Sequence, residues 1–241
     1  MESTKNKMKV EIWSDVMCPF CYIGKRKFES ALKDFDNSSN IEIIWKSFQL
    51  APDMKTDPSK NIDQYLATHK GMSLEQAKGL NKQVSNTAAQ VGLEFNFDKA
   101  IVANSFNAHR FSHLAKQHGL QNEAEERLFA AYFTEGKNTD DIPTLIQIGN
   151  EIGLDSNEVK ELLEGNKYAE EVKADIFEAH QIGVRGVPFF VFDRKYAVSG
   201  AQESQAFLST LEKSFGEWKN ESTQSFEIAE GQSCSTDGDC N

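Results

Sequence analysis

Nowhere in the sequence do roughly eighteen apolar residues run together, which excludes a membrane-spanning helix. The opening residues, Met-Glu-Ser-Thr-Lys-Asn-Lys-Met-Lys-Val, hold no apolar stretch before a small-residue cleavage site. No secretory leader is therefore expected, and a cytoplasmic address follows. Positive charge is scarce too. With 26 Lys and Arg against 37 Asp and Glu, the formal net charge is −11, which sets aside nucleic acid and membrane surfaces as partners. The charges are dispersed rather than blocked, as solvated helix faces are. Cysteine is sparse as well, with four in the chain. In a reducing compartment such residues are more often catalytic, metal-binding or inert than structural disulfides. His69, His113, His118 and His180 show no metal-ligand spacing and read as surface or helix residues. No internal repeat is visible.

What is present suffices for a sizeable core. Apolar residues make up 39% of 241, enough for one large domain or a core domain carrying a smaller one. Val10 to Val16 alternates as a strand and leads straight into Cys18-Pro19-Phe20-Cys21. Phe28, Leu32 and Phe35 then recur at helical spacing among Lys25, Arg26, Lys27 and Lys33. After the turn cluster Asp36 to Asn40, the run Ile41 to Phe48 predicts a second strand. Strand, helix, strand makes a right-handed βαβ unit.

From about Ala51 to about Ile182 the pattern is helical, with no convincing strand. One stripe holds Val102, Phe106, His109 and His113, and Leu128 with Tyr132 marks another helix. Ile142, Leu145, Ile146 and Ile152 mark a third, and Val172, Ile176 and Ala179 a fourth. Gly92-Leu93, Gly119-Leu120 and Gly153-Leu154 read as helix ends. Val187 to Phe192, the turn Asp193-Arg194-Lys195 and Tyr196 to Val198 predict a hairpin, and a last helix should bury Phe207, Leu211, Phe215 and Trp218. The expected closure is a four-stranded sheet with helices on both faces.

The paired cysteines sit where a strand hands over to a helix. A thiolate there faces unpaired backbone N–H groups and the positive end of the helix dipole, both of which favour an anion. Pro19 has helix-ready φ and no N–H to waste. Cys18 is expected to be exposed and to attack a partner's disulfide, and Cys21, one turn inward, to resolve the mixed disulfide. A lone C-x-x-C is equally half of a zinc site, and the strand-to-helix setting favours catalysis. Far downstream, Gly183-Val184-Arg185-Gly186-Val187-Pro188-Phe189 places a proline at the opening of a strand, consistent with a cis Val187–Pro188 peptide.

A C-P-x-C after the first strand, with G-V-x-G-V-P-x-F downstream and a helical block between, resembles the DsbA-like thioredoxin family. Trp13 to Lys25, Asn104 to Arg110 and Val198 to Gln202 resemble its FrnE-like cytosolic branch. The resemblance spans roughly Lys9 to Trp218. It implies an α/β thioredoxin fold with a large all-helical domain inserted between its halves. The thioredoxin domain would be discontinuous, 9–50 and 184–218, the inserted helical domain 51–183, and 219–241 a mobile tail. It implies a dithiol–disulfide oxidoreductase or isomerase, with Cys18 nucleophile, Cys21 resolving thiol and Pro188 beside the disulfide. Val187 would offer backbone groups to a protein thiol or disulfide in extended conformation, with Pro19 and Phe20 on the same binding surface. The redox-active disulfide itself would be the reacting group, needing no cofactor or metal, with glutathione or another thiol as reductant.

Position 20 is Phe where the family's periplasmic oxidases usually carry His. Losing that charge beside the nucleophile makes a disulfide less oxidising and points to a reductase or isomerase. His109 with Arg110 forms an H-R pair that is either hydrogen-bonded core or auxiliary to the cleft. Asp15 either influences the Cys18 proton or closes a turn. Cys234 and Cys240 flank a Gly-Asp turn. They read as a second redox pair that exchanges with Cys18, as a free exposed pair, or as a partner of Cys18 and Cys21 in a zinc site. Two competing functions remain at this stage. A glutathione-dependent isomerase of a small aromatic compound, like 2-hydroxychromene-2-carboxylate isomerase, shares the architecture but typically has Ser at position 18. A zinc-dependent or chaperone-like binding module would survive Cys18→Ser.

Overall fold

Met8, Val10 and Ile12 alternate with Lys9 and Glu11 and form strand β1 (Met8–Ser14). The structure, a computed structural model, describes residues 7–222. Helix α1 (Pro19–Asp34) follows after a short turn. Residues Ser38–Asn40 then make one 3₁₀ turn, and β2 (Ile41–Ser47) lies parallel to β1, from Met8 opposite Ile41 to Ser14 opposite Ser47.

The chain next leaves the sheet for β3 (Asp57–Asn61), α2 (Ile62–Lys70), α3 (Leu74–Ala89), β4 (Ile101–Val102), α4 (Phe106–Gln117) and α5 (Gln121–Phe129). A π-helical turn, Ala130–Thr134, extends α5. Then come α6 (Ile142–Ile152), α7 (Ser156–Glu164) and α8 (Ala169–Gln181). Gly92, Gly119 and Gly153 take φ of 77°, 72° and 91°. The next leucine in each case donates its N–H back to the carbonyl of Ala88, Ala115 or Gly149. That is the helix-closing bond the Gly-Leu pairs predict, and only glycine takes such φ without steric cost.

The chain returns as β5 (Phe189–Phe192) and β6 (Tyr196–Ser199) and ends the described region in α9 (Ser204–Ser222). Lys195 N donates to Phe192 O at 3.0 Å, and Asp193 and Arg194 between them both take positive φ, the twist that joins adjacent strands. The sheet order is β2-β1-β5-β6, with β5 antiparallel to β1 and β6.

The period-2 alternation divides the core. Val10, Ile12, Phe190 and Phe192 face Phe28 of α1 and Phe207 of α9, and the rings of Phe28, Phe190 and Phe207 lie 4.6–5.7 Å apart. Trp13 and Val191 face the opposite way, against Ala179 and Val184. Each such buried ring contributes roughly 2–3 kcal/mol, and Trp13 Nε1 donates to Asp175 O at 3.0 Å, fastening α8 to the sheet. The chain therefore has a thioredoxin fold with a helical insertion.

The structure corrects several expectations. The region between Ala51 and Ile182 does contain strands, since β3 and β4 pair as a two-stranded antiparallel ribbon with an irregular register. Asp-Pro-Ser-Lys-Asn has no strand pattern, so only long-range pairing makes it one. Val102 belongs to β4 and not to the stripe of α4, which starts at Phe106. The last helix runs through Ser222, beyond the expected start of the tail at 219. Of the two readings of His113, surface or helix, the second holds, since it lies on α4 and is buried there. Its Nε2 lies 3.2 Å from Ser47 Oγ and 3.1 Å from the Asp175 carboxylate.

Candidate active site

The site is built at the C-terminal end of β1. Asp15 O accepts from Cys18 N at 2.9 Å, closing the turn that sets Cys18 in extended conformation as the N-cap of α1, with Pro19 as its first residue. Cys18 and Cys21 are free thiols. Cys18 is not exposed as expected: the turn and the facing Val187 carbonyl leave it 4% exposed, while Phe20, between the two cysteines, is 45% exposed. Cys21 lies one turn inward and is fully buried. Burial pushes its thiol well above the ordinary range, and the hydrogen bond and charge of Cys18 push it the same way. Ser14 Oγ, which makes no hydrogen bond of good geometry, works against this rise.

Facing Cys18 stands the loop before β5. The Val187–Pro188 peptide is cis, and Val187 O receives the Cys18 thiol at 3.4 Å. Pro188 is buried against α1, where the absent Cβ of Gly24 leaves room for its ring, and Pro188 O accepts from Gly200 N at 2.8 Å. The structure thus brings together Cys18, Pro19, Phe20, Cys21, Val187 and Pro188. A thiol at a helix N-terminus, a second thiol buried behind it and a backbone carbonyl 3.4 Å from the first sulfur are the parts that thiol–disulfide exchange uses.

His109 and Arg110 part company. His109, on α4, is buried behind the active-site turn. Its Nε2 lies 2.9 Å from Phe48 O and 3.6 Å from Asp15 Oδ1. A carbonyl oxygen only accepts, so Nε2 carries a proton. Arg110 points elsewhere. Its guanidinium donates to the carbonyls of Leu162, Gly165 and Lys167 and to Asn107 Oδ1, tying off the end of α7. Sequence reasoning gave Asp15 only two local roles, a neighbour's influence on the Cys18 proton or a turn closure. In the structure it is wholly buried, with Oδ1 accepting from Met17 N at 3.3 Å and Oδ2 from Leu50 N at 2.7 Å. Glu125 and Tyr132, also buried here, were not marked as site residues, because a glutamate and a tyrosine on helices carry no signal of what they face. Cys234 and Cys240 lie outside the described residues. Among the described residues no three His, Cys, Asp or Glu side chains gather as a metal site, and no helix is long and apolar enough to cross a membrane.

Comparison with known proteins agrees with this fold. Residues 9–212 match the family model described as DSBA-like thioredoxin domain. A probable DsbA oxidoreductase from Streptomyces coelicolor superimposes with a TM-score of 0.83 at 35% identity, covering 97% of this chain and 98% of that one. YwbO of Bacillus subtilis is 29% identical over 191 residues, 76% of this chain and 85% of that protein. The cytosolic disulfide reductase DsbM from Pseudomonas aeruginosa shares the fold at 15% identity, with a TM-score of 0.58 over 88% of this chain and 98% of its own. With the family model matched across both halves of the sheet and the helices between them, the chain belongs to the DSBA-like thioredoxin-domain family.

Proposed function

We propose that this protein catalyses thiol–disulfide exchange on protein substrates as a reductase or isomerase, with Cys18 as nucleophile and Cys21 as resolving thiol. The observation that carries the reading is the placement of the Cys18 sulfur. It belongs to the N-cap residue of α1, lies 3.4 Å from Val187 O, and has Cys21 buried one turn behind it. The Cys18 thiolate attacks one sulfur of a substrate disulfide, and the other sulfur leaves as a thiolate and takes a proton from water. Cys21 gives its proton to water and attacks the Cys18 sulfur. The Cys18–Cys21 disulfide forms as the second substrate thiolate leaves, so two electrons pass from the dithiol to the substrate.

The backbone of Val187 pairs with an extended substrate strand, which places few demands on the side chains of that partner. Phe20 beside the nucleophile supplies no positive charge, which favours the reducing direction. Glutathione or another small thiol restores the dithiol, a cycle suited to a cytoplasmic compartment. The test is to equilibrate the protein in graded glutathione buffers, trap free thiols by alkylation and count them per cysteine by mass spectrometry. Reversible pairing of Cys18 with Cys21, together with a mixed disulfide on Cys18 that accumulates in Cys21→Ser, is the expected result. Exchange activity that persists in Cys18→Ser, or cysteines that are protected only by added zinc, would sink the proposal.

A further inference from the structure

Behind the cysteines the described structure holds a set of buried ionisable groups that the exchange steps above do not use. Asp15 stands at its centre. Its backbone carbonyl holds Cys18 N, and its carboxylate holds Met17 N and Leu50 N. That one side chain therefore ties the turn entering α1 to the segment after β2. The clamp has an electrostatic cost. A buried carboxylate repels the negative charge that exchange develops on Cys18 and then on Cys21.

We infer that His109 is a positioning residue of the exchange reaction: as the buried counter-ion of Asp15, it lets that carboxylate clamp the active-site turn without leaving a net negative charge behind the two sulfurs. The inference rests on the exchange reading above. The cation reaches the site from the inserted helices, since His109 belongs to α4, while Asp15 follows β1 and Phe48, whose carbonyl it also meets, follows β2. The surroundings favour the charged imidazole. Burial pulls its proton affinity down, but Asp15, Glu125 of α5 and the Phe48 carbonyl outweigh burial and raise it. Among the described residues, the other charged or titratable groups that act on the set include Glu125, Lys25, His113, Tyr132 and, through Tyr132, Tyr65. Glu125 itself is bonded by Ser112 Oγ at 2.6 Å, feels Lys25 of α1 and His113 of α4, and leaves its Oε2 without a partner. Tyr132, aimed inward by the π-helical turn, also has an unpartnered hydroxyl and feels the charge of Asp15. His109 thus feels two buried carboxyl groups, and its Nε2 comes within 4 Å of one of them, that of Asp15.

A purely structural histidine and a counter-ion make different predictions. In His109→Gln the amide N–H still reaches for Phe48 O, but the charge is gone and Asp15 stands alone. The thiolate is then disfavoured, and the Cys18–Cys21 equilibrium with glutathione at about pH 8 shifts roughly tenfold towards the disulfide, about 30 mV for this two-electron couple. Alkylation of Cys18 slows by a similar factor. Asp15→Asn in the same chain removes the uncompensated anion, so Asp15→Asn/His109→Gln returns both readings towards wild type. A folded His109→Gln with unchanged potential and alkylation rate, or a double variant displaced as far as the single one, overturns the inference. The wild-type protein supplies an independent reading if the variants fail to fold. NMR of the His109 ring is expected to show an imidazolium at neutral pH, and a neutral ring there overturns the inference equally. If Cys18 and Cys21 never pair in the wild type, the exchange reading fails by itself, while the ring's charge is still measured.

Discussion

Cys18 Sγ lies 3.4 Å from the carbonyl oxygen of Val187, a residue 169 positions further along the chain. The contact spans the join between the two halves of the sheet, because β1 pairs with β5 directly, Trp13 opposite Phe189. Cys18 and the backbone edge facing it are therefore held by adjacent central strands, and the inserted helices leave that pairing intact.

Cys21 gives the reduced protein a pH dependence with a definite sign. Burial makes its thiol bind a proton more tightly in the folded chain than in the unfolded one, where a thiol titrates near about 8.5. With the folded pKa the higher, this stabilisation is complete below that pH and is lost as pH rises through the folded value. Calorimetry of the reduced protein between about pH 8 and pH 10 should show Tm falling more steeply in wild type than in Cys21→Ala. Equal slopes would show that Cys21 is not buried as described.

Glu126 titrates with the opposite sign. Burial alone would raise its carboxyl, but Arg26, Lys25 and the Tyr22 hydroxyl outweigh burial and hold it at about 2. Its contribution is present above the unfolded value, about 4.3, and disappears as pH falls towards the folded one. Lys25, whose side chain is 3% exposed, donates to Glu126 at 2.8 Å and to Glu29 at 2.5 Å. Glu126→Gln should cost about 1–2 kcal/mol in urea denaturation at neutral pH, with the deficit shrinking near about pH 3.

Gly24 separates site geometry from bulk stability. A Cβ there would lie 3.0 Å from Pro188 Cγ and 3.5 Å from the Phe190 ring. Gly24→Ala is expected to cost about 1 kcal/mol through overpacking, and to lower the kcat/KM of exchange more than that stability loss accounts for. Gly79 in α3 meets nothing within 4 Å, and Gly79→Ala should leave activity unchanged and stability equal or higher.

Arg110 should behave as a structural residue. Arg110→Leu leaves the carbonyls of Leu162, Gly165 and Lys167 without their donor, a loss of about 3 kcal/mol. The Cys18–Cys21 potential of the folded fraction should not change. A shifted potential would show that Arg110 acts on the cleft after all.

Much of the site was legible because its parts are locally encoded. Cys18-Pro19-Phe20-Cys21 follows a strand pattern and opens a helical one, so its place at a helix N-terminus could be read from periodicity alone. Val187-Pro188 could be read the same way as the opening of a strand. The three Gly-Leu helix ends were legible because φ near 70–90° narrows the choice of residue to glycine.

Local pattern therefore determined the βαβ and ββα halves, the helical block between them and the pair of thiols. It says which face of a helix is buried but not what lies across from that face. Asp57 to Asn61 became a strand by pairing with Ile101 and Val102. His109 and Arg110, neighbours in sequence, point to Asp15 and to the end of α7. His113 found Asp175 and Ser47. A buried polar group must take its partner from whatever long-range packing brings within hydrogen-bonding distance, so those partners, and with them the charge behind the cysteines, were decided only by the tertiary structure.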